Sequence, residues 1–497
     1  MIGSLKQFTH IDGEKYLNEG GSKNVEVWAA VRQGLPTTPS QGMDVLPVPE
    51  MLRVIEYCLD YRVEDFETAY KLAKTLYATN SQFDVMNWYA SVCYDAKKYP
   101  ESYEVCKKIA SLMPTAGTYF NASRAAQRSG FPGEAESLIR KALALDTSAT
   151  PILLDLAVYI SSQGRFDEAF ELLQSIDPKQ LSRRDRLALE VNKGWHYIRL
   201  GDFKKGIKLI SYGRSIQIWG AGIMTLPRPL WDGVTRKGKT ILIVGEGGIG
   251  DEIIVARFSK ILQERGMKVI MSTVHKAQRI LSSITTIDKV IDGHNLSTYT
   301  DYDYYVPGMD LVSVLDIDED KIPNKPYIKA DPAFVKKWSA IIPRSKKLRV
   351  GVRWSGNNLY EDDLQRTVPF DALEALADIP GVKLYSLQRD TGIEVISPLS
   401  RMVPLHDKLE TLDDALGAIA NLDLVITSCT SIAHLSAALG KKTWVILPFM
   451  PYYIWANLRK KSPWYASVTL YRKATDSSWD VTMAEVRKDL KKLVKTS

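Results

Sequence analysis

The stretch "VITSCTSIAHLSAALGKKTWVILP", residues 425–448, has the clearest strand–helix–strand pattern in the C-terminal half of this sequence. An apolar strand runs into a turn of small hydroxyl residues, which is followed by a helical segment and a second apolar strand. A strand, a helix and a strand in this order predict parallel strands joined by a crossover helix. The turn after the first strand is therefore predicted to lie at the carboxyl edge of a parallel sheet, where such folds bind ligands.

The same pattern extends on both sides of this stretch. Short apolar strands alternate with helical segments from Lys239 onward, in two sets separated by the proline-rich link "KIPNKPYIKADP". Alternation of this kind predicts parallel sheets that are covered by helices on both faces. Two such sets predict two Rossmann-like lobes, at residues 223–335 and 336–497, and allow the last helix to pack back on the first lobe.

The N-terminal half carries a repeat instead. Five segments align on a small residue, and successive small residues are 33, 33, 34 and 37 positions apart. They are Ala69, Ser102, Ala135, Ala169 and Gly206, most of which follow an aromatic residue by three positions. A period near 34 with a small residue where two helices cross predicts a tetratricopeptide-like α-solenoid over residues 51–222. The surface of such a solenoid could serve as a scaffold, bind a ligand or mediate dimerisation. Residues 1–50 are predicted to form a partly extended leader.

The composition excludes several classes of protein. At 497 residues, with 45% hydrophobic and 25% charged residues, the chain is predicted to be soluble and to form two or three domains. It has no uncharged apolar run of about 18 residues and no signal-peptide pattern, and its cysteines show neither metal-binding nor disulfide spacing. We therefore expect a cytoplasmic protein without a membrane span. Its net charge of +7 fits a solvated surface and leaves a polyanionic acceptor open.

The first candidate site follows the strand "ILIVGE". Gly247, Gly248 and Gly250 allow a tight turn there, and Asp251 falls at the start of the next helix. Asp251 is either a helix cap or, at a ligand cleft, a carboxylate that takes a proton from an attacking hydroxyl. The glycine spacing differs from that of a dinucleotide-binding turn, which argues against a dehydrogenase.

The second candidate site is the hydroxyl-rich turn of the opening stretch. Ser428, Thr430 and Ser431 precede a helix whose first N–H groups and positive dipole end would face the cleft. Hydroxyls and unpaired amides fit a diphosphate, although an ordinary helix cap has the same residues. His434, one turn into the helix, is either a packing histidine or a contact to a nucleotide or sugar. Cys429 is not expected to act as a nucleophile, because no base is evident nearby.

A third candidate site lies in "VGVRWSGNNLYEDDLQRTVPF", residues 350–370. Arg353 and Arg366 carry guanidinium groups that can bind two phosphate oxygens at once, although Arg353 could instead pair with an acid. Ser355, Gly356 and Asn357 end the strand and could line the site. The acidic run at 361–363 is predicted to be solvated rather than to hold a metal ion.

Together these motifs resemble those of the bacterial and phage tetratricopeptide-repeat glycosyltransferases. The resemblance covers roughly residues 60–475 and rests on the ordered set "GEGGIGDEIIVARF", "VGVRWSGN", "SLQ", "IANLDLVITSCTSIAHLSAALGKKTWVILP" and "SPWYASVTLYR". The catalytic half is similar to heptosyltransferases and, more distantly, to O-GlcNAc transferases. The resemblance implies a GT-B fold of two Rossmann-like lobes, with the nucleotide-sugar donor on the C-terminal lobe, the acceptor on the N-terminal lobe and no required metal or other cofactor.

The resemblance also implies a role for each matched position. Asp251 matches the candidate base, and Arg366 matches a basic residue in the loop after "WSGN". The activity implied is inverting transfer of a sugar from a nucleoside-diphosphate sugar to a hydroxyl of a glycan or protein, with Asp251 and Arg366 as the catalytic residues. The expected donor-binding residues are Arg353, Ser355, Gly356, Asn357, Gln388, Ser428, Thr430, Ser431 and His434, and the expected acceptor-side loop contains Gly247, Gly248 and Gly250.

Two other functions stay open at this point. The acceptor could be a modified base in phage DNA, which the basic net charge allows. The chain could also be a non-catalytic scaffold that binds a nucleotide sugar and recruits partners, including a second copy, through its repeats.

Overall fold

A computed structural model of the chain describes residues 65–80, 82–147, 149–357, 363–389, 391–474 and 478–496, with the isolated positions 55, 58, 59 and 360. The predicted leader at 1–50 lies outside these residues. The chain divides into two compact units, the first ending at Ile160 and the second beginning at Ser161. Within the described part, no helix is both long enough and apolar enough to cross a bilayer.

The first unit is a series of helices joined by short turns, and the first five described helices each pack against the next. The small residues of the predicted repeat lie at the helix contacts, where Ala69 and Ala135 are fully buried and Ser102 is nearly so. Small side chains at these positions let neighbouring helices approach closely. The helices are α1 (Phe66–Thr79), α2 (Phe83–Asp95), α3 (Tyr99–Leu112), α4 (Ala116–Arg128), α5 (Pro132–Leu145) and α6 (Thr150–Ser162), the last of which crosses the unit boundary.

The second unit opens with three more helices of the same kind, α7 (Phe166–Ser175), α8 (Arg183–Arg199) and α9 (Phe203–Ser211). Helices α8 and α9 touch through their backbones, since a Cβ atom on Gly206 would lie 2.6 Å from the carbonyl oxygen of Gly194. Ile198, Phe203 and Ile207 belong to the apolar core of the α/β region that follows. The predicted boundary at residue 222 is therefore not the boundary between the compact units.

The rest of the second unit alternates strands and helices. The strands are β1 (Thr240–Val244), β2 (Lys268–Thr273), β3 (Lys289–Asp292), β4 (Tyr304–Pro307), β5 (Leu348–Arg353), β6 (Val382–Ser386), β7 (Val403–Pro404), β8 (Leu424–Ser428), β9 (Thr443–Leu447) and β10 (Val468–Arg472). The helices are α10 (Ile249–Ala256), α11 (Ser259–Glu264), α12 (Gln278–Ser282), α13 (Leu311–Leu315), α14 (Pro332–Ile341), α15 (Asp363–Arg366), α16 (Phe370–Glu374), α17 (Leu412–Ala420), α18 (Ser431–Ala438) and α19 (Trp479–Thr496).

The strands form two parallel sheets. The first has the order β3-β2-β1-β4, and the second has the order β10-β9-β8-β5-β6-β7. In each sheet the chain starts in the middle, builds outward on one side and then crosses to the other. The crossing point lies between β1 and β4 in the first sheet and between β5 and β8 in the second, and open parallel sheets bind ligands at such points. This order of elements confirms the predicted fold class, an α-solenoid followed by two Rossmann-like lobes of GT-B type.

Two strands were not expected from the sequence, and the packing of one helix had been left open. The strands β3 and β7 were not predicted, because each is a short edge strand whose residues are only partly buried and carry no clear apolar alternation. The last helix, α19, packs on its own lobe, where the prediction also allowed a return to the first lobe. Its Val486 and Leu490 are fully buried in the same core as β5 and β8, because the apolar stripe of the helix covers the outer face of the second sheet.

The contact between α8 and α9 gives a test of the packing. We expect Gly206→Ala to lower the free energy of unfolding by about 2 kcal/mol, because the added methyl group overpacks the helix contact. It would lie 2.5 Å from Ile198 Cγ1 and 2.6 Å from the Gly194 carbonyl oxygen. Urea unfolding of the full chain measures the change.

Gly117→Ala is the matched control. Gly117 lies in α4, and the nearest atom to an added Cβ would be Thr115 Oγ1 at 4.0 Å. Alanine is therefore expected to stabilise that helix by about 0.5–1 kcal/mol through its higher helix propensity. Equal stabilisation by both substitutions would mean that α8 and α9 are not in backbone contact.

Candidate functional site

The candidate site lies where the two lobes of the second unit meet. Helix α10 follows β1 in the first lobe, and helix α18 follows β8 in the second. Their first turns are in contact, since a Cβ on Gly250 would lie 2.9 Å from His434 Cδ2 and 3.7 Å from Ser431 Cα. The two predicted turns, one after each strand, are thus brought together at the carboxyl edges of both sheets.

On the first lobe, the glycine turn is held at both ends. The N–H of Gly248 donates to Asp251 Oδ2 at 2.8 Å, which is the reciprocal half of a capping box. Nε2 of His275, which follows β2, lies 3.1 Å from the carbonyl oxygen of Gly247. The carboxylate of Glu246 is buried under the turn and accepts hydrogen bonds from Arg214, Ala221 and Met309.

Asp251 projects from this turn toward the second lobe. The hydroxyl of Tyr452, in the loop after β9, donates to Asp251 Oδ1 at 2.8 Å. Burial raises the pKa of the Asp251 carboxyl above its ordinary value, while the hydrogen bonds from Gly248 and Tyr452 oppose this rise. A half-buried carboxylate with a raised pKa is a stronger proton acceptor than an exposed one.

On the second lobe, the hydroxyl turn leads directly into α18. Thr430 is the residue before the helix, and its Oγ1 lies 3.2 Å from Thr427 Oγ1, so that the hydroxyl points toward β8. The first N–H groups of an α-helix have no partner within the helix and carry partial positive charge. Ser428 Oγ is fully buried and has no hydrogen-bond partner among the described residues.

Arg366 joins the hydroxyl turn to the loop after β5. Its Nη1 donates to the carbonyl oxygen of Cys429 at 2.8 Å, and its Nε donates to Asp363 Oδ1 at 2.7 Å. The guanidinium also lies over the ring of Tyr360, 4.5 Å from its centroid. Asp363 is buried by these contacts, which corrects its prediction as part of a solvated acidic run. The cation is therefore fixed beside the first turn of α18.

The other predicted donor-binding residues of this lobe organise its loops. Arg353 donates from Nε to the carbonyl oxygen of Ser355 at 3.0 Å and from Nη1 to that of Leu387 at 3.3 Å. Gln388 is fully buried and donates to Ser355 Oγ at 2.8 Å, which ties the loop after β6 to the loop after β5. Gly356 lies against the guanidinium of Arg366, whereas Asn357 is exposed at the loop surface.

His434 and Cys429 are both buried at the meeting of the lobes. The His434 ring stacks on Trp455 with centroids 5.5 Å apart, and its Nδ1 lies 3.2 Å from the Tyr465 hydroxyl. Burial lowers the pKa of His434 to about 3, so that the ring is neutral at pH 7. Burial likewise raises the pKa of the Cys429 thiol to about 11, which fits the expectation that it is not a nucleophile.

Three contacts of the site were not predicted from the sequence. They are the hydrogen bond from Tyr452 to Asp251, the position of His275 beside the glycine turn, and the stacking of Tyr360 on Arg366. Only the position of His275, directly after an apolar strand, gave a local signal. Within the described residues, no three His, Cys, Asp or Glu side chains are grouped so as to hold a metal ion.

Known proteins resemble parts of this chain. No protein-family model matches it. Protein FlbA of Caulobacter vibrioides is 24% identical over 292 residues, which are 52% of this chain and 48% of FlbA, so the chain spans about half the length of that relative. Similar solved structures include the glycosyl transferase family 9 protein from Veillonella parvula (11% identity, TM-score 0.38, 53% of this chain and 92% of that one).

Two further solved structures are each similar to part of the chain. The E. coli ADP-heptose lps heptosyltransferase II is 14% identical, with a TM-score of 0.40, over 52% of this chain and 99% of that one. A thermophilic TPR protein of Thermus thermophilus is 17% identical, with a TM-score of 0.26, over 33% of this chain and 88% of that one.

The buried histidine gives a test at acid pH. The unfolded chain binds a proton at His434 near the ordinary value of 6.5, whereas the folded chain binds it only near 3. The folded state therefore loses stability as the pH falls from 6.5 toward 3, and the loss at pH 5 is about 2 kcal/mol. Between pH 7.5 and pH 5, we expect the free energy of unfolding to fall by about 2 kcal/mol more in the parent chain than in His434→Gln, which has no imidazole to protonate. Urea unfolding at both pH values measures the difference.

Asn295→Gln is the control for this comparison, because Asn295 is exposed in a surface turn and carries no titratable group. Its pH dependence should follow that of the parent chain. If His434→Gln also follows the parent chain, the ring of His434 is not buried in the neutral form.

Proposed function

We propose that the chain is an inverting, metal-independent glycosyltransferase that moves a sugar from a nucleoside-diphosphate sugar to a hydroxyl acceptor in the cytoplasm. One observation carries the proposal. The Asp251 carboxylate reaches toward the second lobe, where Tyr452 binds it, at the place where the first turns of α10 and α18 are in contact. A proton acceptor and an anion-binding helix start, fixed at one crevice, are what transfer from a sugar diphosphate requires.

The donor diphosphate is assigned to the second lobe. The first N–H groups of α18 supply hydrogen bonds and partial positive charge, and Arg366 adds a full positive charge beside them. The first N–H groups of α18 are part of the folded backbone, and Arg366 is fixed by Asp363 and by the Cys429 carbonyl. Both groups are therefore in place before the reaction. Donors and charges fixed in advance stabilise a leaving anion at little cost of reorganisation. The proposal needs no metal ion, since these groups meet the charge of the departing diphosphate.

The reaction then runs in one displacement. Asp251 takes the proton of the acceptor hydroxyl while that oxygen forms a bond to the anomeric carbon. The bond between the anomeric carbon and the diphosphate oxygen breaks, and its electron pair leaves with the nucleoside diphosphate. Attack from the face opposite the leaving group inverts the configuration of the anomeric carbon. The glycine turn of the first lobe would border the acceptor.

The role of Asp251 can be tested by an isosteric change. We expect Asp251→Asn to lower the rate of sugar transfer by at least about 10²-fold, because the amide cannot accept the proton. Its affinity for the donor nucleotide should stay near that of the parent chain. Transfer is measured with a panel of nucleotide sugars and simple hydroxyl acceptors, and donor binding by calorimetry. Asp301→Asn, on an exposed loop of the same lobe, is the matched control.

The pH dependence of the transfer rate distinguishes a residue that acts as a base from one that only supports the structure. Tyr452→Phe removes a hydrogen bond that favours the ionised form of Asp251, so the pKa of that carboxyl should rise. The acid limb of the rate profile should then move to higher pH.

Full transfer activity in Asp251→Asn would remove Asp251 from the role of base. If donor is bound but no nucleotide sugar is ever hydrolysed or transferred, the chain is instead a binding scaffold.

The role of Arg366 in binding the diphosphate can be tested by measuring the affinity of the chain for a nucleoside diphosphate. We expect Arg366→Ala to weaken the binding of the nucleoside diphosphate by about 10- to 100-fold, the range for loss of a charge-assisted hydrogen bond. Arg401→Ala in the same lobe is the control, since Arg401 pairs with Asp378 at the surface. Calorimetry measures both variants with the same nucleotides. Unchanged affinity in Arg366→Ala would exclude Arg366 from the phosphate site.

A further inference from the structure

A single peptide group of the glycine turn lies between two side chains of the first lobe. Its N–H belongs to Gly248 and donates to Asp251 Oδ2 at 2.8 Å. Its carbonyl oxygen belongs to Gly247 and lies 3.1 Å from Nε2 of His275, in the loop after β2. A carbonyl oxygen can only accept, so this ring nitrogen must carry a hydrogen atom for the bond to form. The peptide group therefore joins His275 to the carboxylate of the proposed base.

The two glycines leave the orientation of this peptide group open. Gly247 has a φ of +74°, in the left-handed region, and Gly248 has a φ of −94°. Turning the peptide group over would bring φ of Gly248 to a positive value, which glycine adopts without steric cost. The flipped group would direct its carbonyl oxygen, instead of its N–H, toward Asp251. The backbone alone therefore does not fix the hydrogen bond to the carboxylate.

The contact with His275 selects one of the two orientations. Among the described residues, the carbonyl oxygen of Gly247 has no hydrogen-bond donor other than His275. A peptide group is planar with its N–H and C=O pointing in opposite directions, so a donor that holds the oxygen also directs the N–H to the opposite side. The flipped orientation would lose both hydrogen bonds and would place an oxygen atom against the carboxylate of Asp251.

The loop that carries His275 is itself anchored to α10. Glu252, which follows Asp251 in that helix, is fully buried and accepts from the hydroxyl of Thr273 at 2.6 Å. The same hydroxyl oxygen accepts from the backbone N–H of His275 at 3.1 Å. The imidazole is therefore placed by the packing of β2 against α10 and not by the turn that it contacts.

We propose that His275 is a positioning residue for Asp251, because its Nε2–H holds the peptide group between Gly247 and Gly248 with the N–H on the carboxylate. The positioning follows from these contacts alone, whereas its consequence for sugar transfer rests on the proposed glycosyltransferase function. A hydrogen bond to one carboxylate oxygen favours the ionised form, which can accept a proton. It also leaves Oδ1 directed toward Tyr452 and the second lobe.

Several titratable groups face this carboxylate. They are Glu246 and Glu252 on its own lobe and Cys429, Tyr452 and Tyr453 on the second lobe. Burial raises the pKa of Asp251 and the charge of Glu246 adds to the rise, while the hydrogen bonds from Gly248 and Tyr452 lower it. A substitution of His275 leaves all five groups in place. A change in the pKa of Asp251 would therefore come from the imidazole or from the peptide group that it holds.

The pKa of Asp251 can be measured in the full chain without any substrate, by NMR titration of protein labelled with carbon-13 at the aspartate carboxyl groups. The Asp251 signal is the one missing from Asp251→Asn. We expect His275→Leu to raise this pKa by about one pH unit, because the released peptide group no longer donates to the carboxylate. His275→Gln should stay near the parent chain, since its amide can donate from almost the same place as Nε2. Gln278→Leu, at an exposed neutral residue shortly after the loop, is the control.

Transfer assays with the same variants separate this inference from the proposed function. The acid limb of the rate profile should move to higher pH in His275→Leu and not in His275→Gln. The affinity for a nucleoside diphosphate should stay that of the parent chain in both, because Arg366 and the start of α18 are untouched. If the pKa of Asp251 rises in His275→Leu but the parent chain transfers no sugar, His275 positions the carboxylate and the proposed function fails.

Two results would overturn the inference. An unchanged pKa of Asp251 in His275→Leu would mean that the peptide group keeps its orientation without the ring. An equal rise in His275→Leu and His275→Gln would mean that the charge of an imidazolium, and not the hydrogen bond, acts on the carboxylate. Should His275→Leu fail to fold, His275→Asn replaces it with the same expected rise, because its amide is too short to reach the Gly247 carbonyl oxygen.

Discussion

The close contact between the first turns of α10 and α18 is the constraint on which the rest of the site depends. Gly250 has no side chain, so the ring of His434 can lie against its backbone and the two helix starts can meet. Each helix follows a strand beside the crossing point of its own sheet. When the helix starts are in contact, the ligand-binding edges of both sheets necessarily face one crevice. The carboxylate of Asp251 and the start of α18 are neighbours for this reason.

The second unit holds its buried arginine side chains in two different ways. Beneath the glycine turn, Arg214 is paired with Glu246 and Asp310, and this network fixes the turn without needing a ligand. Arg257 is buried as well, but its guanidinium donates to the carbonyl oxygens of Ile254, Pro323 and Trp464. Both arrangements satisfy a buried guanidinium without a ligand.

Part of the site could be predicted because its signals are local. The glycine turn before Asp251 and the hydroxyl turn before α18 each follow an apolar strand directly, so that sequence order alone places them at sheet edges. The edge strands β3 and β7 could not be found in this way, since they are short and only half-buried. Asp363 was expected to be solvated for a similar reason, because its partner Arg366 becomes relevant only when the loop folds back.

The order of elements can be read from the amino-acid sequence: a helical repeat with a period near 34, then two sets of strands with helices between them. These features are periodic, and periodicity is visible without knowing which distant residues meet. Only the tertiary structure shows that Tyr452 binds Asp251 and that His434 packs against Gly250. The members of each pair are far apart along the chain, and only the packing of the second unit brings them into contact.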